Sequence, residues 1–137
     1  MQVININVSA GITGFESPSA DYSSRPLLLD DILIERRSST FIAVASGDSM
    51  TGFGIFDGDL IVVDRAAEKR DLDIVVAVIN GELVCKQIDR AKGILNSGNC
   101  LYPAVSIGDC DVYVEEGIVI RSVRLFRQPT ELLSYFK

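Results

Sequence analysis

From residue 40 onward, short runs of apolar residues alternate with polar turn residues, and this pattern predicts a mostly β domain. The predicted strands are 40–45, 60–63, 73–80, 82–88, 93–95, 111–114 and 118–126. Asn80-Gly81 lies between two of them and predicts a tight hairpin, because both turn positions need positive φ. The arm before this turn is apolar throughout residues 74–79 and is therefore expected to be buried.

Before residue 40 the pattern is weaker. Residues 1–9 alternate loosely, which indicates either an edge strand or a segment without fixed structure. Residues 10–25 are rich in Ser, Gly and Pro and predict an extended arm, a backbone form that a protease groove accepts. Residues 26–37 predict a short helix with Pro26 in its first turn. The expected division is an arm of residues 1–25 followed by one domain, residues 26–137.

The composition excludes several classes of function. A chain of 137 residues accommodates one domain with a real core. Its formal net charge of −6 disfavours a nonspecific grip on DNA phosphates and favours a protein partner. The longest purely apolar run, 74–79, is far below the roughly 20 residues that span a bilayer, and the first fifteen residues do not resemble a secretory signal. A cytoplasmic protein without a membrane anchor is expected.

The cysteine and histidine content bears on redox state and metal binding. Cys85, Cys100 and Cys110 form no C-x-x-C pair and leave one thiol unpaired in any scheme, which indicates a reducing compartment. Because the chain has no histidine, a zinc site would need all three thiols and a carboxylate, so neither a metal nor another cofactor is expected.

The candidate chemistry centres on Ser49, which lies on a glycine-rich bend between two predicted strands. Such a serine can present its hydroxyl and nearby backbone N–H groups to a substrate carbonyl. Without histidine no Ser-His-Asp triad is possible, so the base would be a lysine whose amine is kept neutral by burial. Lys86 is the candidate, because in a strand it shares a face with Val84 and Ile88.

Structural explanations compete with this hypothesis at each position. Ser49 could be an exposed turn serine, and Lys86 could extend to the surface or pair with an acidic neighbour. The possible acidic neighbours are Glu82, Asp89 and Asp48. The preferred interpretation of Asp57, Asp59 and Asp64 is that they form turns and carry surface charge.

The motifs together resemble the LexA/UmuD family of self-cleaving serine-lysine peptidases, and the resemblance covers nearly the whole chain. The matching residues are Gly47-Asp48-Ser49-Met50, Gly54-Ile55, Asp57-Gly58-Asp59, Val84-Cys85-Lys86, Asn99, Tyr102-Pro103 and Gly117-Ile118-Val119. The separation of 37 residues between Ser49 and Lys86 agrees with that family's pattern. The resemblance implies a peptidase domain of twisted antiparallel sheets with one short helix and an extended arm.

In the mechanism expected for this pair, Lys86 accepts the proton of Ser49 while the backbone N–H groups of Asp48 and Ser49 bind the oxyanion. The resemblance implies that the bond attacked lies in the protein's own arm, and residues 14–22 resemble the segment that follows the UmuD cleavage site. Family sites usually read Ala-Gly or Cys-Gly, whereas the aligned pair here is Thr13-Gly14. Cleavage would therefore be slow, occur at Ala10-Gly11 instead, or have been lost.

Within the family, the sequence resembles UmuD more than LexA. The 48 residues before Ser49 contain at most one predicted helix and cannot supply a DNA-binding helix-turn-helix module, so sequence-specific DNA binding is not expected. The resemblance implies a DNA-damage (SOS) response protein that cleaves its arm when it meets a RecA filament on single-stranded DNA. As a homodimer it would then serve a UmuC-like, error-prone Y-family DNA polymerase as accessory subunit in translesion synthesis.

Two other functions were weighed against this one. A signal peptidase shares the Ser-Met and Lys features but needs a membrane anchor, and no predicted element supplies one. A non-cleaving or slowly cleaving UmuD-like module that regulates a polymerase or RecA is the alternative. The predicted strand 118–126 is a candidate dimer edge, although Arg121 and Arg124 interrupt its apolar pattern.

Overall fold

The computed structural model describes residues 28–129 in full and, before them, the backbone of two strands. The chain forms two units, Met1–Glu35 and Arg36–Lys137. In the first unit, strands β1 (Gln2–Ile4) and β2 (Tyr22–Pro26) pair antiparallel, and helix α1 (Leu29–Leu33) follows. The predicted cleavage bonds, Thr13-Gly14 and Ala10-Gly11, lie outside the described residues.

The helix predicted over residues 26–37 is wrong in its extent. Pro26 is the last residue of β2, and the α-helix covers only Leu29–Leu33. Ile34 is already extended, with φ −119° and ψ 115°, and a separate 3-10 turn follows at Arg37–Ser39. The i,i+4 apolar pairs that suggested a longer helix are local signals, and a helix this short gains little from local propensity.

In the second unit, the described residues form one sheet of seven strands, and every neighbouring pair is antiparallel. The strands are β3 (Thr40–Val44), β4 (Leu60–Asp64), β5 (Ile74–Ile79), β6 (Glu82–Asp89), β7 (Ile94–Asn96), β8 (Val105–Ser106) and β9 (Tyr113–Val123). Their order across the sheet is β3-β4-β9-β5-β6-β7-β8. The predicted fold class, a mostly β domain of antiparallel strands, is confirmed.

The hairpin that joins β5 to β6 forms as predicted. Asn80 has φ 50° and Gly81 φ 84°, so both turn positions adopt the left-handed conformation that a two-residue hairpin turn requires. The register places Lys86 directly opposite Val75, which has no exposed surface. Residues opposite one another share a sheet face, so Lys86 lies on an apolar face, as the alternation of β6 indicated.

Strand β9 differs from its prediction in two ways. It is one strand of 11 residues, Tyr113–Val123, where the sequence suggested two, and an irregularity near Gly117 lets it continue. It also ends at Val123 and not at residue 126. Residues 118–123 pair with β4 and residues 113–118 pair with β5, so the two pairings share only Ile118, and the dimer edge expected at 118–126 stays a prediction.

Gly117 allows the close approach of β9 and β4. A Cβ at this position would lie 2.6 Å from Cγ1 of the fully buried Val63. Glycine therefore lets the two central strands approach closely where the register shifts.

The core lies on both faces of β5, because successive side chains of a strand point to opposite sides. The first cluster contains Met50, Ile55, Ile61, Val63 and Val76. The second contains Val75, Ala77, Ile88, Leu95 and Ile118. The first cluster includes Met50 and Ile55, and Ala45 packs against it, so the loop that carries Ser49 is anchored in the core both before and after that serine.

Two of the aspartates predicted to be surface charges are buried, so that prediction is wrong for Asp59 and Asp64. Asp64 is 0% exposed, and its carboxylate accepts hydrogen bonds from Arg36 Nη1 at 2.8 Å, Ser39 Oγ at 2.7 Å and the Ala66 N–H at 2.9 Å. Asp57 is exposed, as predicted. The buried aspartates occupy these sites because charged or polar partners from distant parts of the chain satisfy them.

Within the described residues, no helix has both the length and the apolar character needed to cross a lipid bilayer.

Candidate active site

Ser49 lies on a loop, residues 45–59, that connects β3 to β4. The base of the loop is closed by two main-chain hydrogen bonds, from Ala45 N–H to Asp59 O and from Gly58 N–H to Ala45 O, both 2.8 Å long. Gly47, with φ 84°, makes the bend just before the serine and donates its N–H to Asp57 Oδ1 at 2.8 Å. A residue with a Cβ would be strained there, so the glycine is needed for this bend.

An ion pair between Asp59, at the end of this loop, and Arg124 also stabilises the loop. Arg124 donates two hydrogen bonds of 2.9 Å to the carboxylate of Asp59, and its guanidinium lies 4.2 Å from the centroid of the Phe56 ring. The hydrogen bond from Arg124 is the main reason that the pKa of Asp59 falls below its usual value. Arg124 interrupts the apolar pattern after β9 because it serves this buried carboxylate.

Asp48, the residue before the serine, is held by a second loop that follows β7. Asn99 Nδ2 donates to the carbonyl oxygen of Asp48 at 3.1 Å, and Tyr102 OH donates to its carboxylate at 2.5 Å. That hydrogen bond and the negative charge of Asp48 raise the pKa of Tyr102 above its usual value. Two side chains thus fix both the main chain and the side chain of Asp48.

Lys86 lies in the middle of β6 and is half-buried. Its amine donates a hydrogen bond to Ser97 Oγ at 2.7 Å and lies 5.6 Å from the centroid of the Tyr102 ring. The neighbouring thiol indicates how apolar the surroundings are, because burial raises the pKa of Cys85 to about 11 although the charge of Lys86 opposes the change. Among the described residues, Lys86 has no ion pair with Glu82, Asp89 or Asp48.

Ser49 and Lys86 line the same pocket, which has a volume of about 380 Å³. Its walls also include Asp48, Met50, Glu82, Cys85 and Tyr102. Within residues 28–129 the amine of Lys86 is hydrogen-bonded to Ser97, and no hydrogen bond joins it to the Ser49 hydroxyl. The tertiary structure thus brings the two predicted residues to one cavity without joining them directly.

The backbone around Ser49 offers donors for an anion. No acceptor for the N–H groups of Asp48 and Ser49 is present within residues 28–129. Unpaired N–H groups beside a serine hydroxyl are the arrangement that stabilises a developing oxyanion. No group of acidic or thiol side chains in the described part of the chain is arranged to hold a metal ion.

Comparison with known protein families identifies the family of this chain. A model of the family described as peptidase S24-like matches residues 2–120, most of the chain. The chain belongs to the peptidase S24-like family. This membership confirms the resemblance carried by the motifs around Ser49 and Lys86, and it makes the domain a serine-peptidase domain in family terms.

Individual S24 relatives share a substantial part of the sequence. Protein ImpA of Salmonella typhimurium is 45% identical over 75 residues, which is 55% of this chain and 52% of the relative. Protein SamA of Salmonella typhimurium strain LT2 is 44% identical over 75 residues, 55% of this chain and 54% of the relative. LexA repressor 1 of Xanthomonas oryzae pv. oryzae is 38% identical over 94 residues, 66% of this chain and 46% of the relative. The chain spans about half the length of these curated relatives.

Sequence reasoning missed several residues that support the S24 site. Ser97 contacts Lys86, yet no local pattern marks it. Asp59 and Tyr102 were noted only as parts of motifs, and Arg124 only as a break in the apolar pattern. Their contacts join separate elements of the fold, so only the tertiary structure reveals them.

Proposed function

We propose that this domain cleaves a peptide bond in an N-terminal arm of its own kind, with Ser49 as nucleophile and Lys86 as general base. The observation that carries the proposal is that both residues line one pocket of about 380 Å³, beside backbone N–H groups that lack acceptors within residues 28–129. Membership of the S24 peptidase family supports the same chemistry.

In the proposed reaction, neutral Lys86 takes the proton of Ser49 as Ser49 Oγ attacks the carbonyl carbon of the arm. The N–H groups of Asp48 and Ser49 stabilise the negative oxygen of the tetrahedral intermediate. The C–N bond then breaks, and the proton passes from Lys86 to the leaving nitrogen. Water hydrolyses the remaining ester and restores the serine.

The reaction requires the amine of Lys86 to come within hydrogen-bonding reach of the hydroxyl of Ser49. A lysine side chain has several freely rotating bonds, and its compact ammonium group has three donors, so the amine can approach Ser49 by rotation of the side chain. Both residues already border one cavity, which makes this a local rearrangement.

The scissile bond of the proposal is Thr13-Gly14, with Ala10-Gly11 as the second possibility. Both rest on the resemblance of residues 14–22 to the segment after the UmuD cleavage site. In the wider role we propose, the cleaved homodimer is an accessory subunit of a UmuC-like Y-family polymerase in the SOS response, and a RecA filament promotes cleavage. The motif resemblance and the similarity to ImpA, SamA and LexA support this role.

Self-cleavage is expected to accelerate as the pH rises. The base acts only in its deprotonated form, so the rate should increase as the pH rises through the alkaline range. Incubating the full chain between neutral and strongly alkaline pH and weighing the products by mass spectrometry measures this. A fragment that begins at Gly14 or Gly11 supports the proposal. A chain that keeps its intact mass at every pH supports the non-cleaving binding module.

Tyr102→Phe is expected to slow self-cleavage about five-fold, the usual net effect of losing one hydrogen bond, because Asp48 beside the nucleophile is held less firmly. The variant loses the 2.5 Å hydrogen bond to Asp48 but keeps the ring beside Lys86. The hydrogen bond to Asp48 raises the pKa of Tyr102, so the phenol keeps its proton to a higher pH than an ordinary tyrosine does. First-order rate constants at one alkaline pH provide the measurement.

Tyr102→Leu is the comparison for this prediction, since it removes the ring as well as the hydroxyl and should be slower than Tyr102→Phe. Wild-type rates in Tyr102→Phe would contradict a role for the Asp48 contact.

A further inference from the structure

The amine of Lys86 is bound by a hydroxyl that no motif identified. Lys86 Nζ donates to Ser97 Oγ at 2.7 Å, and both side chains are half-buried. Ser97 follows directly after β7, on a segment separated from β6 by a turn. A half-buried ammonium group needs acceptors, and among the described residues the Ser97 hydroxyl is the hydrogen-bond acceptor that it has.

The segment that carries Ser97 is joined to the serine loop by its main chain. Gly98 N–H donates to the carbonyl oxygen of Ser49 at 2.7 Å, and Gly52 N–H donates to the carbonyl oxygen of Gly98 at 2.6 Å. The approach is so close that a Cβ on Gly52 would lie 2.2 Å from that oxygen. Ser97 is therefore the neighbour in sequence of Gly98, whose N–H group is hydrogen-bonded to the main chain of Ser49.

A serine hydroxyl is suited to hold an amine that gains and loses a proton. It accepts a hydrogen bond from the ammonium form and can donate one to the lone pair of the neutral form. The other titratable groups that line the pocket with Lys86 are Glu82 and Cys85 on its own strand and Asp48 and Tyr102 on the two loops. The raised pKa of Cys85 keeps that thiol neutral, so it does not replace Ser97 as an acceptor for the charge.

We propose that Ser97 is a positioning residue, which holds the amine of Lys86 beside the serine loop before and after proton transfer. The inference rests on the proposed function of Ser49 and Lys86. Ser97 would be the third side chain of the site, and it lies on the loop after β7. The main-chain hydrogen bonds between Gly98 and the serine loop then set the position of Lys86 relative to Ser49.

The titration of Lys86 in the full chain tests this directly. The chain has four lysines, so the ¹³Cε signals of labelled lysine form a simple spectrum, and Lys86→Arg identifies the signal of Lys86. Ser97→Ala should move the titration midpoint of this signal to lower pH by up to about one pH unit, because the charge-assisted hydrogen bond to the ammonium form is stronger than the bond to the neutral amine. Ser97→Thr, which keeps the hydroxyl, should retain the wild-type midpoint. Ser106→Ala removes an exposed serine of β8 and should change nothing.

An unchanged midpoint in Ser97→Ala overturns the inference, whether or not the arm is cleaved. Should Ser97→Ala fail to fold, Ser97→Gly replaces it, because it also removes the hydroxyl without adding a titratable group and should lower the midpoint in the same direction. A midpoint in the glycine variant equal to that of wild type would equally overturn the inference.

Cleavage kinetics separate the two proposals. Ser97→Ala should lower the maximal rate about ten-fold and shift the pH profile to lower pH, and Ser97→Thr should restore both. A wild-type profile in a cleaving Ser97→Ala chain overturns the role of Ser97 and leaves the proposed function standing. A chain that never cleaves, yet shows the shifted midpoint, contradicts the proposed function and supports the positioning of Lys86 by Ser97.

Discussion

Ser49→Ala is expected to abolish self-cleavage, with a loss of rate of at least about a thousand-fold, because the attacking oxygen is removed. The fold should be unaffected, since the Ser49 hydroxyl makes no hydrogen bond within residues 28–129 and the neighbouring Met50 remains in the core. Lys86→Ala should have an effect of similar size, because the hydroxyl loses its base. Both variants are measured by intact mass after prolonged incubation at alkaline pH.

Ser46→Ala is the matched control for the nucleophile. Ser46 lies on the same loop, is exposed and lines the same pocket, so its loss should leave the cleavage rate within about two-fold of wild type. The double variant Ser49→Ala, Lys86→Ala should cleave no more slowly than either single variant, because the rate effects of substituting residues that act as one catalytic unit are not additive. Cleavage that persists in Ser49→Ala and stops in Ser46→Ala would show that the nucleophile is misassigned.

Asp64→Asn is expected to destabilise the domain by about 3 kcal/mol, the usual loss when one partner of a buried ion pair is removed. The carboxylate is 0% exposed and uses one oxygen for Ser39 and Ala66 and the other for Arg36. An asparagine keeps one acceptor oxygen but turns an NH₂ group towards the guanidinium of Arg36, so two donors face each other. Urea unfolding at neutral pH measures the free energy of unfolding of both proteins.

The pH dependence of this difference has a defined sign. Burial alone would raise the pKa of Asp64, but the hydrogen bonds from Ser39, Ala66 and Arg36 outweigh it and lower the pKa from the usual 3.8. The carboxylate therefore stabilises the fold at pH values above 3.8, and this contribution is lost as the pH falls through the lower, folded-state value. The difference in the free energy of unfolding between wild type and Asp64→Asn should be constant above pH 3.8 and should narrow as the pH falls below it.

Asp109→Asn controls for the loss of charge alone. Asp109 is exposed, so its replacement should change the free energy of unfolding by no more than about 0.5 kcal/mol at any pH. An Asp64→Asn protein as stable as Asp109→Asn would refute the structural role assigned to the buried carboxylate.

The local elements of the site were predictable because their signals are short-range. The turn at Asn80-Gly81 needs two residues that tolerate positive φ, and the alternation of β6 then puts Lys86 on an apolar face. The bend at Gly47 and the strands on either side of Ser49 follow from the same kind of local pattern. Because the chain has no histidine, the sequence alone also restricted the candidate general base to a lysine.

The burial of Asp59 and Asp64 could not be predicted in this way. The sequence around each aspartate is typical of a turn or a strand end, and the carboxylate can be buried because an arginine distant in sequence pairs with it. Arg124, which follows β9, pairs with Asp59, and Arg36, which precedes β3, pairs with Asp64. A pairing over such sequence separations leaves no periodic trace in either segment.

The amino-acid sequence by itself determined most of the strands, the hairpin and the two residues, Ser49 and Lys86, on which the proposed chemistry depends, since these follow from backbone preference and side-chain alternation. The tertiary structure alone decided that β9 lies between β4 and β5, that Ser97 holds the amine of Lys86 and that Tyr102 holds Asp48. The physical reason is that strand order and loop contacts depend on which distant surfaces pack together. That choice is made by the whole core and not by any one segment.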